Sequence, residues 1–310
     1  MATMNEVAGN LVWQRLLNPQ ETLGFAGLSE KWQCLDIALM VKDYGMLATH
    51  PALLQKLRGA IGRVLMGAAS KDSLDQKVCP WQPPCANDVF FGPKPMIKLT
   101  RHTHEIPKPF TLSAIQKGRD LWLTVSLFGF AREWASEMRS ALVRAVRERI
   151  NWKALAGDMF LPLTMELHVK MIEKTLRLSS KLPDRVILNF VTPIDCKNTD
   201  PADHPQSVLS RLVHRVFLLA RWHEVQIDTD WKALSHCWRS VIADVDTQKT
   251  QIQARHSQRS HSRYTIHSRL VRLDLDGDLA ALWPVLVIGE HAHVGRGTTA
   301  GLGKYQLRFP

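Results

Sequence analysis

The residues best placed to do chemistry form the run His293-Val294-Gly295-Arg296-Gly297-Thr298-Thr299-Ala300-Gly301-Leu302-Gly303-Lys304-Tyr305. Glycines at 295, 297, 301 and 303 allow positive φ and let the backbone approach a bulky ligand. Backbone N–H groups, the hydroxyls of Thr298 and Thr299, and the cations Arg296 and Lys304 could together surround an anion, most simply a phosphate. The plain alternative is a tight surface turn. The run leads into Tyr305-Gln306-Leu307-Arg308-Phe309, an alternating strand. A P-loop or dinucleotide fingerprint needs a helix after its glycines, so this order argues against a nucleotide cofactor, and no cofactor is expected.

A second basic stretch runs from Gln251 to Arg272 and holds Arg255, Arg259, Arg263, Arg269 and Arg272 without an acid. If its start is helical, Arg255, Arg259 and Arg263 share one face at i, i+4 and i+8. Such a row suits an RNA backbone, because the guanidinium fork matches phosphate. Ala131 to Ile150 is a further basic candidate, partly neutralised by Glu133, Glu137 and Glu148. His291 and His293 flank the glycine run and are placed to touch a ligand there.

No metal site is expected. His102 and His104 can be drawn with Cys79 and Cys85 as zinc ligands, but the cysteines are too far apart for a usual zinc pair. Asp274, Asp276 and Asp278 alternate around Gly277 without the rest of a calcium loop.

A chain of 310 residues suits two domains of about 150 residues each. Hydrophobic residues make up 45% of it, enough for a real core. Lys and Arg outnumber Asp and Glu by 40 to 29, a net charge of +11, and the isoelectric point near 9.6 is a footprint of nucleic-acid binding. No stretch approaches the roughly 18 apolar residues of a membrane-spanning helix. Met1 to Asn10 lacks a basic segment followed by an apolar one, so secretion is not indicated. The five cysteines are scattered, which fits a reducing cytoplasm better than a disulfide framework.

The elements that must position these residues can be read in order. Cys34 to Lys42 predicts a strand. Pro51 suits the first turn of a helix whose stripe is Leu53, Leu54, Leu57, Ile61, Val64 and Leu65. Gly59 and Gly62 are poor helix residues that close backbone packing would explain. Ser70 to Pro109 reads as loops around short strands. Leu121, Leu123, Val125 and Leu127 alternate in another strand, Ala131 to Ile150 follows as a helix, and Leu163 to Met171 reads as a strand. This order is that of a ferredoxin-like βαββαβ unit. A second unit begins near Pro183: a strand over Val186 to Val191, helices over Val208 to Trp222 and Asp230 to Val245, strand character up to Asp274, and a short helix from Pro284. The expected fold is α+β, a tandem of ferredoxin-like (RRM-like) domains. The expected division is an N-terminal extension over 1–30 and domains over 31–180 and 181–310.

In these residues the chain resembles the CRISPR-associated RAMP endoribonucleases that process precursor CRISPR RNA. The resemblance is carried by Leu57-Arg58-Gly59-Ala60-Ile61-Gly62, Cys79-Pro80-Trp81, Phe90-Phe91-Gly92, Leu127-Phe128-Gly129, Phe190-Val191-Thr192-Pro193-Ile194 and the glycine-rich run, in that order. It implies tandem ferredoxin-like folds, CRISPR repeat RNA as partner, and metal-independent cleavage at the repeat hairpin. It also implies retention on the mature crRNA beside other Cas effector subunits. A different member of the same group would bind guide RNA without cutting it, and a basic protein-interaction module is a third reading.

Cleavage of this type uses the RNA's own 2′-hydroxyl as nucleophile and leaves a 2′,3′-cyclic phosphate. The protein supplies a base, an acid and cations for the charge on phosphorus. A histidine serves well near neutral pH. The family often places one near the first helix, and His50 is the residue that matches, with Tyr44 before it and Lys56 after it as companions. The resemblance assigns RNA binding to Gly295, Arg296, Gly297, Thr298, Thr299, Gly301, Gly303 and Lys304.

Overall fold

The computed structural model describes residues 10–99, 102–162, 164–176, 178, 182–196, 199–249, 253–257, 262–266 and 269–310. Arg259 and the first nine residues, part of the N-terminal segment read for secretion, lie outside the described residues. The chain divides into two compact units. The first comprises Met1–Leu23, Lys31–Thr175 and Leu218–Ile227, the second Gly24–Glu30, Leu176–Phe217 and Asp228–Pro310.

In the first unit, strand β1 (Gln33–Val41) leads to helix α1 (Leu53–Met66), strands β2 (Phe110–Lys117) and β3 (Asp120–Phe128), helix α2 (Ala135–Arg144) and strand β4 (Leu167–Thr175). The sheet order is β2-β3-β1-β4, with every pair antiparallel. This is the ferredoxin-like order. Strand alternation sends Leu35, Ile37, Leu39 and Val41 of β1 to the same face as Leu121, Leu123, Val125 and Leu127 of β3, and all are buried. The α1 stripe Leu53, Leu57, Ile61, Val64 and Leu65 is buried too. Gly62 faces the Phe91 ring, whereas Gly59 borders open space, so close packing accounts for only one of these glycines.

Several boundaries move. Strand β4 begins at Leu167 rather than Leu163, and β2 occupies Phe110–Lys117, which no expected element covers. The expected helix from Ala131 to Ile150 starts as a 3₁₀ turn over Gly129–Trp134 and ends in a π turn over Ala145–Arg149. Leu218–Ile227 belongs to the first unit. There Trp222 Nε1 donates to the Pro107 carbonyl at 2.9 Å, and Arg15 grips both oxygens of Glu224 at 2.8 and 2.9 Å. Val225–Ile227 also pairs in parallel with Glu21–Leu23. Gly129, at φ +55°, lies against the Trp222 carbonyl, where a Cβ would overlap it.

In the second unit, strand β5 (Arg185–Phe190) is followed by helices α3 (Gln206–Leu219) and α4 (Trp231–Ser240). Then come strands β6 (Ile242–Lys249), β7 (Gln253–Ser257), β8 (Ser262–Ile266) and β9 (Arg269–Asp276), helix α5 (Trp283–Ala292) and strand β10 (Tyr305–Arg308). The order β6-β9-β5-β10 repeats that of the first unit. The tandem ferredoxin-like architecture is therefore present. Pro284 occupies the first turn of α5, where its missing N–H costs nothing.

The helix expected from Asp230 to Val245 ends at Ser240. Asp230 caps its start by accepting from Lys232 and Ala233 N–H at 2.8 and 3.0 Å. Beyond Ser240, the alternation of Ile242 to Lys249 pairs with β9. The expected helical face of Arg255, Arg259 and Arg263 is also corrected. Arg255 lies on β7 opposite Tyr264, and Arg263 lies on β8 opposite His256. β7 and β8 pair antiparallel along their described length, so strand pairing overrides the helical spacing at Arg255 and Arg263. Among the described residues, no helix is long and apolar enough to cross a membrane.

Candidate functional site

The segment between β1 and α1, with the first turn of α1, carries the residues that the resemblance matches to proton transfer. Asp43 turns the chain in the left-handed region at φ +61°. Its N–H donates to Asp120 Oδ1 at 3.0 Å, and Arg119 pairs with its carboxylate at 2.9 Å. Gly45 N–H donates to the Arg119 carbonyl at 2.8 Å, and a Cβ at Gly45 would sit 2.7 Å from that oxygen. The turn leading to α1 is thus bolted to the β2–β3 hairpin.

His50 follows this turn and is half-buried. Its N–H donates to the Leu47 carbonyl at 3.0 Å, and its Nδ1 accepts from Ala52 N–H at 3.2 Å. A neutral ring in this position carries its proton on Nε2. Lys56 is exposed, and its N–H donates to the Ala52 carbonyl at 2.9 Å. Tyr44 is buried at 4% exposure, edge-on to Trp152 with ring centroids 5.1 Å apart. Burial pushes its phenol above the usual range, so it stays neutral. The local fold therefore sends Tyr44 inward and Lys56 outward.

The glycine-rich run belongs to the second unit. Gly295, Gly297, Gly301 and Gly303 all take positive φ, at +86°, +72°, +84° and +70°. Two strand-like crossings close the loop. Val294 N–H donates to the Gly303 carbonyl at 2.9 Å, and Gly303 N–H to the Pro193 carbonyl at 2.8 Å. Arg296 N–H donates to the Asp195 carbonyl at 2.8 Å, and Lys304 N–H to Thr192 Oγ1 at 2.8 Å. Within the loop, Ala300, Gly301 and Leu302 N–H groups return to the carbonyls of Gly297 and Thr298. These N–H groups are therefore committed inside the protein and do not line an anion cradle. Toward solvent the loop offers Arg296, whose side chain is 50% exposed with Nε 4.0 Å from Asp195 Oδ2. Thr298 is buried, and Thr299 and Lys304 are half-buried.

His293 proves to be an anchor, not a ligand-facing group. It is 2% exposed, sits at φ +57°, and its Nδ1 has no partner. Burial, reinforced by Lys304, Arg215 and His291, holds its pKa well below the ordinary value, so the ring is neutral. Residues that sequence reasoning passed over complete the scaffold. Arg215 Nε donates to the Ala292 carbonyl at 2.8 Å, and Asp195, buried at 6% exposure, borders the loop. The signal for Asp195 was present, because it directly follows the Phe190–Ile194 motif. Cys79 and Cys85 are buried, while His102 is exposed and His104 half-buried. Among the described residues, no group of three or more His, Cys, Asp or Glu is placed to hold a metal ion.

Residues 188–305, from β5 through the glycine loop, match the family model for the CRISPR-associated endoribonuclease Cas6. Over that stretch the chain is similar to the Cas6 endoribonucleases. A second model, described as an N-terminal domain, matches residues 31–159. Among solved structures, Thermus thermophilus Cas6 (TTHB231) is similar over 89% of this chain and 99% of its own, at 12% identity and a TM-score of 0.50. A Cas6 (TTHA0078) substrate mimic complex is similar over 89% and 99%, at 14% identity and 0.44. Csf5, a CRISPR-Cas type IV Cas6 crRNA endonuclease, is similar over 89% and 99%, at 11% identity and 0.42. At these identities the likeness to TTHB231 speaks for the Cas6 fold alone. No curated protein sequence matches the chain.

Proposed function

We propose that this chain is the endoribonuclease that cuts precursor CRISPR RNA at the repeat hairpin. The observation that carries the reading is the closed unit of glycine loop and Thr192–Asp195 inside the Cas6-matched region. Arg296 and Lys304 bind RNA phosphates from that unit, with Arg255 and Arg263 on the paired strands β7 and β8 as further contacts. The four glycines serve by holding the loop closed, and Thr298 and Thr299 by shaping its tip.

The reaction is attack of the RNA 2′-oxygen on the adjacent phosphorus as the bond from phosphorus to the 5′-oxygen breaks; the leaving 5′-oxygen takes a proton from water, giving a 2′,3′-cyclic phosphate and a free 5′-hydroxyl, with no metal ion required. His50 is the proton-transfer residue. At rest its Nδ1 is covered by Ala52 N–H, so to accept the 2′-hydroxyl proton the ring must turn from Ala52 and uncover a lone pair. Lys56, exposed one turn into α1, stabilises the charge that grows on the phosphate oxygens. Tyr44, buried against Trp152, supports the turn that carries His50. Retention on the mature crRNA, with other Cas subunits recruited to that complex, follows from the same phosphate contacts.

The test is single-turnover cleavage of labelled repeat RNA in EDTA. Wild type should cut and His50→Ala should bind without cutting. Wild-type protein that binds its own repeat RNA and never cuts it would instead identify a non-cleaving guide-binding subunit.

A further inference from the structure

Strands β2, β3, β1 and β4 present a second face, opposite the one covered by α1 and α2. The cross-strand register sets one row over it: Ile115 opposite Trp122, Trp122 opposite Met40, and Met40 opposite His168. Ile115 is 41% exposed, His168 is exposed, and Trp122 and Met40 are half-buried. A tryptophan in mid-strand is usually sunk in the core. Here the core side is filled by its neighbours Leu121 and Leu123, both fully buried, so strand alternation puts Trp122 on the open face.

Cations frame the row. Lys117 Nζ lies 4.9 Å from the Trp122 ring centroid, and exposed Lys170 is paired in register with Ala38 on the same face. The nearest acids are engaged elsewhere. Asp120 accepts from Asp43 N–H at 3.0 Å, and Asp36 pairs with Lys174 at 2.5 Å. Glu166, on the same face, is paired with Lys42 at 2.9 Å. An aromatic ring with exposed lysines on either side and carboxylates already bonded within the protein suits a ligand that is both planar and anionic. The row also sits at the end of the sheet where β1 passes into the turn carrying His50, since Met40 is the penultimate residue of β1.

We propose that this sheet face is a binding platform for single-stranded RNA, with one base stacked on Trp122 and the flanking phosphates held by Lys117 and Lys170. Aromatic side chains on an open sheet stack unpaired bases irrespective of sequence, and lysines supply the backbone contacts. Lys117 covers the ring in the free protein and moves to phosphate when a base arrives. The platform rests on the RNA-processing reading and deepens it. It holds unpaired RNA flanking the repeat hairpin, at the end of the sheet from which His50 is carried.

The probe is a fluorescein-labelled, single-stranded oligoadenylate of about ten nucleotides, a length within the site size of single-strand binders, followed by anisotropy at several salt concentrations. Trp122→Ala should weaken binding about tenfold or more, and Trp122→Phe should retain most of the affinity. Lys117→Ala and Lys170→Ala should each lower the slope of log affinity against log salt by about 0.7. A folded Trp122→Ala protein that binds within about twofold of wild type overturns the platform. If that variant does not fold, unchanged salt slopes in the two lysine variants overturn it instead. Because the probe holds no repeat, the two readings fail separately. Trp122-dependent binding by a protein that leaves repeat RNA uncut removes the nuclease alone, whereas cutting with Trp122-independent binding removes the platform alone.

Discussion

Gly303 donates its backbone N–H to the carbonyl of Pro193 at 2.8 Å. Through this bond two motifs more than a hundred residues apart become one object. Thr192, Pro193 and Asp195 form the wall against which the glycine run folds, and the glycines are needed for that closure. At φ +70°, a Cβ on Gly303 would overlap the Val294 carbonyl oxygen.

Gly303→Ala should therefore open the loop, since no side chain yields where the obstacle is backbone and the dihedral is left-handed. We expect a loss of about 3 kcal/mol or more in unfolding free energy, read by urea denaturation. RNA affinity should fall with it.

Arg296→Ala separates binding from folding. Its side chain is half-exposed and its N–H bond to Asp195 survives the change. Repeat-RNA affinity should drop while the melting temperature holds, and the salt slope should fall by about one phosphate contact. Filter binding at several salt concentrations reads both.

His50→Ala removes only the ring. Cleavage should slow by about 10²–10⁴-fold, the usual worth of a positioned acid or base, with RNA affinity unchanged. Cleavage at the wild-type rate would exclude His50 from proton transfer.

Glu290 offers a pH test. Burial raises its carboxyl above the usual range, partly opposed by the Leu307 N–H that its Oε1 accepts at 2.8 Å. A raised folded pKa means that the folded state binds the proton more tightly. Stability is then full below the ordinary carboxylate pKa of about 4.3 and is lost as pH rises through the raised value. Glu290→Gln keeps an acceptor for Leu307 without the charge. It should be more stable than wild type at pH 7, and the gap should close on acidification, as followed by thermal melts across pH.

Gly129→Ala examines the Leu218–Ile227 segment. The residue has φ +55° and would press a Cβ into the Trp222 carbonyl. A loss of about 3 kcal/mol or more is expected, visible as a lower denaturant midpoint.

Much of the architecture is written locally. Alternation at Leu121, Leu123, Val125 and Leu127 dictated a strand with one buried face, and the same alternation left Trp122 on the other. The stripe from Leu53 to Leu65 dictated α1, Pro284 marked the start of α5, and the strand after the glycine run argued against a nucleotide fingerprint. These features depend on neighbours in sequence, through strand and helix periodicity and backbone sterics. Tertiary structure decided the rest. Arg255 and Arg263, spaced for a helix, lie instead on two antiparallel strands paired with each other. Tyr44 turned inward because Trp152 lay beneath it. The N–H groups of Arg296, Gly303 and Lys304 closed on Asp195, Pro193 and Thr192 instead of facing a ligand. Composition shows how many hydrogen-bond donors a segment has. Only the fold brings up the distant carbonyl that claims each one, because a buried donor must be satisfied by whichever acceptor the topology delivers.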